Sequence, residues 1–403
     1  MQNLHKHTYW SNLFSMDSIA SYEDYAKRAK EVGHKVLSSV EHGWQGNYWQ
    51  CYEIAKRYGL KFVFGTEAYY VQDRSEPDKA NCHILILAKN ENGRQAINEM
   101  LSIASETGYY YRPRVDLELL FKLPPNDIFV TSRCVAFWNY GWEFSDYLVL
   151  SLKKHFGDNF MLEVQNHNTE KQIELNKHIR ELSLKYNIEM IVGLDSHYIY
   201  HEDSKMREEA LASKGIFYED EQGWYMDYPD DEECFNRFKS QNVLNDEEIR
   251  RAMENTDIAL TFEDYDDVPV FNTNIKLPTI YTNQTQEEKN KIYSKFITKK
   301  FKEYMKNVSA EDYDKYFQGV KEEVKTYKET GMVDYPLLNY QVIKKGIDNG
   351  GIITDTARGS ASGFFTNTLC GFSTIDRFKA PIKIYPDRFM SVARILETHS
   401  LPD

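Results

Sequence analysis

No apolar run in this chain approaches the ~18 residues that a membrane-spanning helix requires, and its first residues lack the apolar core of a signal peptide. Both absences argue against a bilayer-embedded or secreted product. Cysteine is sparse: the five residues Cys51, Cys82, Cys134, Cys234 and Cys370 are dispersed, odd in number and never form C-x-x-C. That excludes a disulfide scaffold and points to reduced thiols in a cytoplasmic compartment. There is no internal repeat and no low-complexity tract, so neither a solenoid nor a linker-dominated chain is expected. Basic residues are the minority, 49 Lys+Arg against 62 Asp+Glu, which at first disfavours a nucleic-acid partner.

What is present is an ordinary globular composition, 41% hydrophobic and 14% aromatic, in 403 residues, enough for two separate cores. The charge is unevenly placed. Residues 1–275 carry 29 Lys+Arg against 46 Asp+Glu, a balance of −17, while residues 276–403 carry 20 against 16, or +4. The acidity therefore belongs to the first part, where bound metals could offset some of it. The mildly basic remainder is compatible with phosphate binding.

Short β-branched or apolar runs predict strands near 3–8, 36–40, 61–66, 83–88, 128–132, 160–165 and 189–194. Apolar residues at three- and four-residue spacing predict helices over 21–32, 47–58, 92–105, 145–156 and 169–186. Seven strands alternating with helices imply an α/β fold with a parallel sheet, most simply closed as a barrel whose chemistry sits where the strands end.

The strand ends are where ligand-type residues collect. In His5-Lys6-His7 the period of two turns both imidazoles to one face, about 7 Å apart. An isolated H-x-H is more often two surface histidines than a site. Here, however, Asp17 follows the first predicted strand, Glu41-His42-Gly43 the second and Gly65-Thr66-Glu67 the third. His83 opens the fourth, an exception to the end-of-strand rule. Ser132-Arg133-Cys134 follows the fifth and Asp195-Ser196-His197 the seventh. His5, His7, Asp17, His42, Glu67, His83, Cys134, Asp195 and His197 make nine potential ligands. Packing needs alone do not collect His, Asp, Glu and Cys on one rim. Mixed imidazole and carboxylate donors suit Zn, Mn or Fe better than Mg or Ca.

These motifs, with Val130-Thr131-Ser132-Arg133-Cys134 and Asp195-Ser196-His197-Tyr198, resemble the PHP (polymerase and histidinol phosphatase) domain, and most of all the one that opens the bacterial DNA polymerase III alpha family. The resemblance implies a distorted seven-stranded barrel holding up to three metals, Zn²⁺ or Mn²⁺. Two departures stand out: Glu41 replaces the usual Asp before the second-motif His, and Asp17 arrives slightly late. From Tyr200 to about Val270 acidic and aromatic residues crowd together (219–221, 230–233, 263–267) around helical patterns at 231–239 and 245–259. This stretch reads as a solvated acidic surface joining two domains.

Beyond Pro278, helical patterns at 286–305, 312–329 and 336–349 lead to Thr356-Ala357-Arg358-Gly359-Ser360-Ala361-Ser362-Gly363 and an apolar run resembling a helix opening. Backbone N–H groups there, the Ser360 and Ser362 hydroxyls and Arg358 could together grip a triphosphate; close helix packing explains the small residues as well. Asp387-Arg388-Phe389 and Ser400-Leu401-Pro402-Asp403 follow. Their order and spacing resemble the G-R-G-S-x-x-G, E-R-F-like and P-D-x-D motifs of the same polymerase family, with Ala357 in place of the first Gly. The resemblance covers essentially the whole chain. It implies a partial palm of the polymerase-beta-like nucleotidyltransferase type. Arg358, Gly359, Ser360 and Ser362, assisted by Arg388, would bind the phosphates of the nucleotide, and Asp403 would be the first ligand of catalytic Mg²⁺.

The expected organisation is therefore a PHP metal-binding barrel over 1–200, an acidic C-terminal part of the PHP region with a connector over 201–275, and the N-terminal part of the palm over 276–403. Two-metal phosphoryl transfer needs at least two carboxylates, so the chain by itself is expected not to polymerise DNA. A complementing C-terminal piece, from a split or intein-interrupted gene, would restore the site. The implied partners are primer-template DNA, dNTPs, and proofreading and sliding-clamp subunits. Two other functions stay open at this point: a stand-alone metal-dependent phosphoesterase or 3′-5′ exonuclease, and a non-catalytic docking platform stabilised by its metals.

Overall fold

The computed structural model describes residues 1–14, 16–132, 142–217, 224–265, 278–353 and 359–398. Cys134, Arg358, Asp403 and the acidic residues 219–221, 266 and 267 lie outside them. The chain divides into two compact units, residues 1–271 and 272–403. No helix among the described residues is long and apolar enough to cross a membrane.

In the first unit helix α1 (Tyr22–Glu31) leads to strand β1 (Val36–Ser39), α2 (Tyr48–Tyr58) to β2 (Lys61–Tyr70), and β3 (Cys82–Ala88) to α3 (Glu91–Thr107). Then come β4 (Arg114–Val115), α4 (Leu117–Leu120), β5 (Ile128–Ser132), α5 (Trp142–Phe156), β6 (Phe160–Gln165), α6 (Glu170–Tyr186) and β7 (Met190–Gly193). Helices α7 (Ser204–Ala212), α8 (Asp231–Ser240) and α9 (Asp246–Glu254) complete it. Local signals set several helix starts: Ser21 and Asp24 form a capping box on α1, and Asn47, Asn90 and Thr169 cap α2, α3 and α6.

The strands form one curled, seven-stranded sheet in the order β1-β2-β3-β5-β6-β7, with β4 paired to β2. It is not all parallel, as the strand–helix alternation implied. β3 runs antiparallel to both β2 and β5, whereas the other pairs are parallel. The reason is local: a parallel return needs a crossover of about a dozen residues or more, usually helical. Residues 71–81 supply only turns, bends and irregular backbone around Pro77.

Residues 3–8 are not a ladder strand. They make one parallel bridge, Lys6 to Ser196, with His7 N–H donating to Ser196 O at 2.7 Å and Ser196 N–H to His5 O at 3.3 Å. Toward β1 the ladder is replaced by side chains. Gln2 Oε1 accepts from the N–H groups of Lys35 (2.7 Å) and Val36 (3.1 Å), and Ser38 Oγ donates to Leu4 O at 2.8 Å. The seventh strand is instead β4, too short to be visible as a periodic run.

Period-two alternation sorts the sheet's faces. Leu37, Phe62, Phe64, Ile84, Ile86, Ile128, Val130, Phe160, Leu162, Val164 and Val192 pack outward against the helices. Val36, Val63, Leu87, Phe129, Met161 and Ile191 point inward as an apolar floor, closed by Ala259 and Phe262 from the segment after α9. Continuing each inward column toward the rim, two residues at a time, reaches Glu67, His83, Glu163 and Asp195. The floor is greasy and the rim carries donors, and that gradient positions the site.

Residues 224–261 belong to the barrel rather than to a solvated connector. Tyr228, Cys234, Phe238, Ile249, Ala252 and Met253 share its core, and α9 packs on β7.

The second unit is helical among its described residues: α10 (Gln286–Met305), α11 (Tyr313–Glu329), α12 (Asp334–Asp348), α13 (Phe365–Leu369) and α14 (Val392–Thr398). They surround a core of Tyr293, Ile297, Tyr316, Tyr327, Val333, Phe364, Phe365, Phe389 and Met390.

Candidate metal centre

Eight of the nine ligand-type residues singled out in the sequence converge, and Cys134 lies outside the described residues. The extended backbone at 5–7 turns both imidazoles inward, their ring centroids 5.3 Å apart, closer than a flat strand would set them. Lys6 between them points the other way, its Nζ donating to Asn3 O (2.9 Å) and Ser38 Oγ (2.5 Å); burial pushes its amine down to about 8.

Asp17 reaches the site because the chain folds back on itself. A 3₁₀ turn over Tyr9–Leu13 is followed by Asn12 Oδ1 accepting from the N–H groups of Asp17 (3.1 Å) and Ser18 (3.0 Å). Arg207 Nε, from α7, donates to Asp17 O at 2.6 Å. His83 loses its exceptional status, since β3 is antiparallel and its first residues lie on the rim where the parallel strands end. Asp195 adopts φ +49°, a left-handed conformation in which Asp is tolerated, in the turn just past β7. That turn is held by His197 N–H donating to Met226 O (2.8 Å) and by the Tyr25 hydroxyl donating to Ser196 O (2.6 Å).

Glu67 is the hub. Its carboxylate lies 3.0 Å from His7 Nε2, 2.6 Å from His83 Nδ1 and 4.0 Å from His5 Nε2, and it contacts His42 Nδ1. Asp195 Oδ1 lies 3.5 Å from His5 Nε2, 3.4 Å from His7 Nε2 and 3.2 Å from His197 Nε2. Asp17 faces His197 Nδ1 at 3.3 Å and His42 Nε2 at 3.4 Å. His5 and His7 direct their Nε2 atoms at one another, 3.3 Å apart.

Most of these separations are longer than a good charge-assisted hydrogen bond, ~2.7–2.9 Å. They match the ~3.3–3.4 Å between two donors that grip one ion tetrahedrally at ~2.0–2.1 Å. The donor set therefore fits metal ions, in three overlapping trios: His5, His7 and Glu67; His7, His42 and His197; His42, Glu67 and His83.

Electrostatics agree with that use. Burial, and then the neighbouring His42, push His7 well below its usual value. The same causes, with Arg112, take His83 down to about 3. Neutral imidazole is the form that binds metal. Burial would raise the Asp17 carboxyl, but the His197 and His42 charges and hydrogen bonds outweigh it and hold it well below the usual range. The reciprocal pull of Asp17 raises His197 against its burial. Among the described donors His83, its side chain 19% exposed, is the most open to solvent.

Glu41, which departs from the motif's usual Asp, is not a donor here. It accepts from Thr8 N–H (3.1 Å), Thr8 Oγ1 (2.7 Å) and Ser11 Oγ, bracing the turn beyond His7.

In the second unit the structure brings two of the predicted motifs together. Gly359 (φ +81°) and Ser360 open a turn whose Gly363 sits where a Cβ would press on Phe389 and Tyr385, and the Phe364 and Phe389 rings are 5.1 Å apart. Ser360 is buried, Ser362 half-buried and Arg388 exposed. The helix opening expected to grip phosphate is otherwise engaged. α13 has five residues, and the N–H groups of Phe365 and Thr366 donate to Glu323 at 2.9 and 2.7 Å.

Comparison with known proteins agrees with both halves. The PHP domain family matches residues 3–167, and the family described as bacterial DNA polymerase III alpha NTPase domain matches residues 289–403. The DNA polymerase III subunit alpha of Aquifex aeolicus is 25% identical over 425 residues, covering 100% of this chain and 35% of that protein. The Borreliella burgdorferi subunit is 27% identical over 421 residues, with 100% and 34% covered, and the Thermus aquaticus subunit 30% over 225 residues, with 52% and 18% covered. Along its whole length this chain is similar to bacterial DNA polymerase III alpha subunits. It spans about a third of the length of the first two relatives, matching their N-terminal part. Asp195 and His197 fall beyond the matched PHP segment, yet the fold returns them to it.

One member of the site went unlisted in the sequence. Glu163, an isolated charge in the strand FMLEVQ, shares the inward face with Met161 and Gln165, and that alternation was the available signal. Its Oε1 lies 2.7 Å from His5 Nδ1, while Oε2 accepts from Thr131 Oγ1 at 2.6 Å. Gly193 leaves room for it, since a Cβ there would collide with the Glu163 carboxylate. Glu163 thus fixes the His5 tautomer, with Nε2 presented to the cluster. Glu163→Gln is expected to weaken metal binding about 10- to 100-fold, measured by competition with a chelator; unchanged affinity would remove Glu163 from the site.

Proposed function

We propose that the first unit of this polymerase III alpha relative is a metal-dependent phosphodiesterase that removes nucleotides from the 3′ end of DNA. The observation that carries this reading is the convergence of five imidazoles and three carboxylates, from separate segments of chain, on one buried rim. A platform stabilised by a single structural ion would need about four donors, half of this set. His5, His7, Asp17, His42, Glu67, His83, Asp195 and His197 would hold the metals, with Zn²⁺ or Mn²⁺ suited to the mixed donors. Bound there, such ions supply Lewis-acid stabilisation of a phosphodiester and a more acidic attacking water.

The protein's own contribution is orientation. Glu163 holds the His5 ring, Glu41 the turn after His7, and Asp17 and Asp195 flank His197. Greasy walls below the rim keep bulk water from the far side of the cluster.

Within the same proposal the chain contributes to a replicative polymerase acting on primer-template DNA with dNTPs and Mg²⁺, alongside proofreading and clamp subunits. Arg358, Gly359, Ser360, Ser362 and Arg388 would face the nucleotide phosphates and Asp403 a catalytic metal. The thiols of Cys51, Cys234 and Cys370, buried and unbridged, support a cytoplasmic setting.

The test is digestion of a 3′-labelled primer by the purified chain in Mn²⁺ or Zn²⁺, beside Asp195→Ala/His197→Ala. Label should be lost with the parent chain and retained with the double variant. Retention with both, metal still bound, would sink the nuclease reading and leave the cluster a structural one.

A further inference from the structure

The rim bears a feature that neither the metals nor the fold requires. Residues 108–113 run from the end of α3 into β4, which pairs with β2 at Tyr69 and Tyr70, two and three residues past the hub Glu67. Here the sequence is Tyr109-Tyr110-Tyr111-Arg112. Tyr109 is 59% and Tyr111 64% exposed. Tyr111 holds φ +60°, an unfavourable backbone for an aromatic residue, at the tip of a turn closed by Tyr110 N–H donating to Arg112 O at 3.1 Å.

The hook is rigidly built. The buried Arg114 guanidinium donates to the carbonyls of Gly108 (2.9 Å), Glu76 (2.7 Å), Asp78 (3.0 Å) and Arg74 (2.7 Å), tying it to the 74–78 loop. Two cations accompany the rings. Lys79 Nζ lies 4.4 Å over Tyr111, and Arg112 lies 4.6 Å over Tyr69, whose ring packs edge-on against His83 at 5.0 Å. Arg74 is matched by Asp116 and Glu118, whereas Lys79 and Arg112 have no carboxylate partner among the described residues.

We propose that this hook binds single-stranded DNA, Tyr109 and Tyr111 stacking on bases and Arg112 contacting a backbone phosphate beside His83, the most exposed of the described donors. Stacking on aromatic faces is tolerant of sequence, as a terminus-trimming site requires. It also suits an acidic unit: with a balance of −17 over residues 1–275, electrostatics alone cannot recruit a polyanion. The assignment gives the nuclease reading its substrate strand and rests on that reading for its direction, but binding can be tested apart from cleavage.

The experiment is fluorescence anisotropy of a labelled phosphorothioate oligothymidylate, resistant to cleavage, titrated with the full chain in Mn²⁺ at low salt. Tyr109→Ser/Tyr111→Ser should bind at least about tenfold more weakly, and Tyr109→Phe/Tyr111→Phe within about twofold of the parent. Arg112→Ala should lower the slope of log affinity against log salt by about 0.7. Bound metal and thermal midpoint should stay at parental values, since both tyrosines are exposed. Equal affinity of the serine variant and the parent, or no binding by the parent, overturns the assignment. Tyrosine-dependent binding without loss of label in the digestion assay would refute the nuclease and leave the strand-binding hook standing.

Discussion

Glu67→Gln is expected to strip at least one equivalent of metal from the chain and reduce 3′-end digestion to background. Glu67 is fully buried and touches His7, His42 and His83, with His5 slightly further off. It thus meets four of the five imidazoles. Glutamine keeps the shape but removes the charge that offsets bound cations. Glu67→Ala adds a cavity and the loss of a buried charged partner, about 3–5 kcal/mol of stability. Elemental analysis of the purified variants reads the metal directly. The internal control is Glu41→Gln: Glu41 is equally buried but its side chain bonds to Thr8, Ser11 and Tyr22, so metal should be retained. Full metal content in Glu67→Gln would mean that the ions bind elsewhere.

The second large effect lies in the other unit. Glu323, on α11 and 1% exposed, accepts from Phe365 N–H and Thr366 N–H and from Arg377 Nε (2.9 Å) and Nη2 (2.8 Å). A single carboxylate thus caps α13 and anchors the 376–378 turn. Gly319, one turn earlier on α11, makes the approach feasible, because a Cβ there would collide with Phe378. Removing the carboxylate strands a partly buried guanidinium and two buried backbone donors together. Glu323→Ala should destabilise this unit by about 3–5 kcal/mol, read as a lower urea midpoint. Glu323→Gln, which keeps one good acceptor, should lose roughly half of that. A cost below about 1 kcal/mol for the alanine variant would show that the cap is dispensable.

Much of the barrel was legible in the chain. β5 and β6 fall on the residues expected, and β1, β3 and β7 lie within a residue or two, because their β-branched runs are bounded by turn and helix-cap residues. The convergence of the candidate donors was legible from their number: one charged or imidazole side chain at a strand end is readily structural, but packing alone does not repeat them at strand end after strand end. Glu163 escaped because it sits inside a strand, where one buried charge looks like a packing oddity until its inward column is known. Residues 231–261 looked solvated because their charges dominate the composition. Their amphipathic faces, such as Ile249, Ala252 and Met253 on α9, are what the barrel buries.

Local sequence by itself determined where the chain extends, where it coils and which residues could bind metal, since these depend on side-chain period, capping and chemistry within a few residues. Tertiary structure alone decided partnership. It paired β3 with both β2 and β5, which brought His83 to the donor rim, and turned the chain after His7 so that Asp17 meets His42 and His197. It also gave Phe365 and Thr366 to Glu323 rather than leaving their N–H groups for a phosphate. Each outcome depends on which distant segment can satisfy a buried polar group, and a linear pattern carries no record of that.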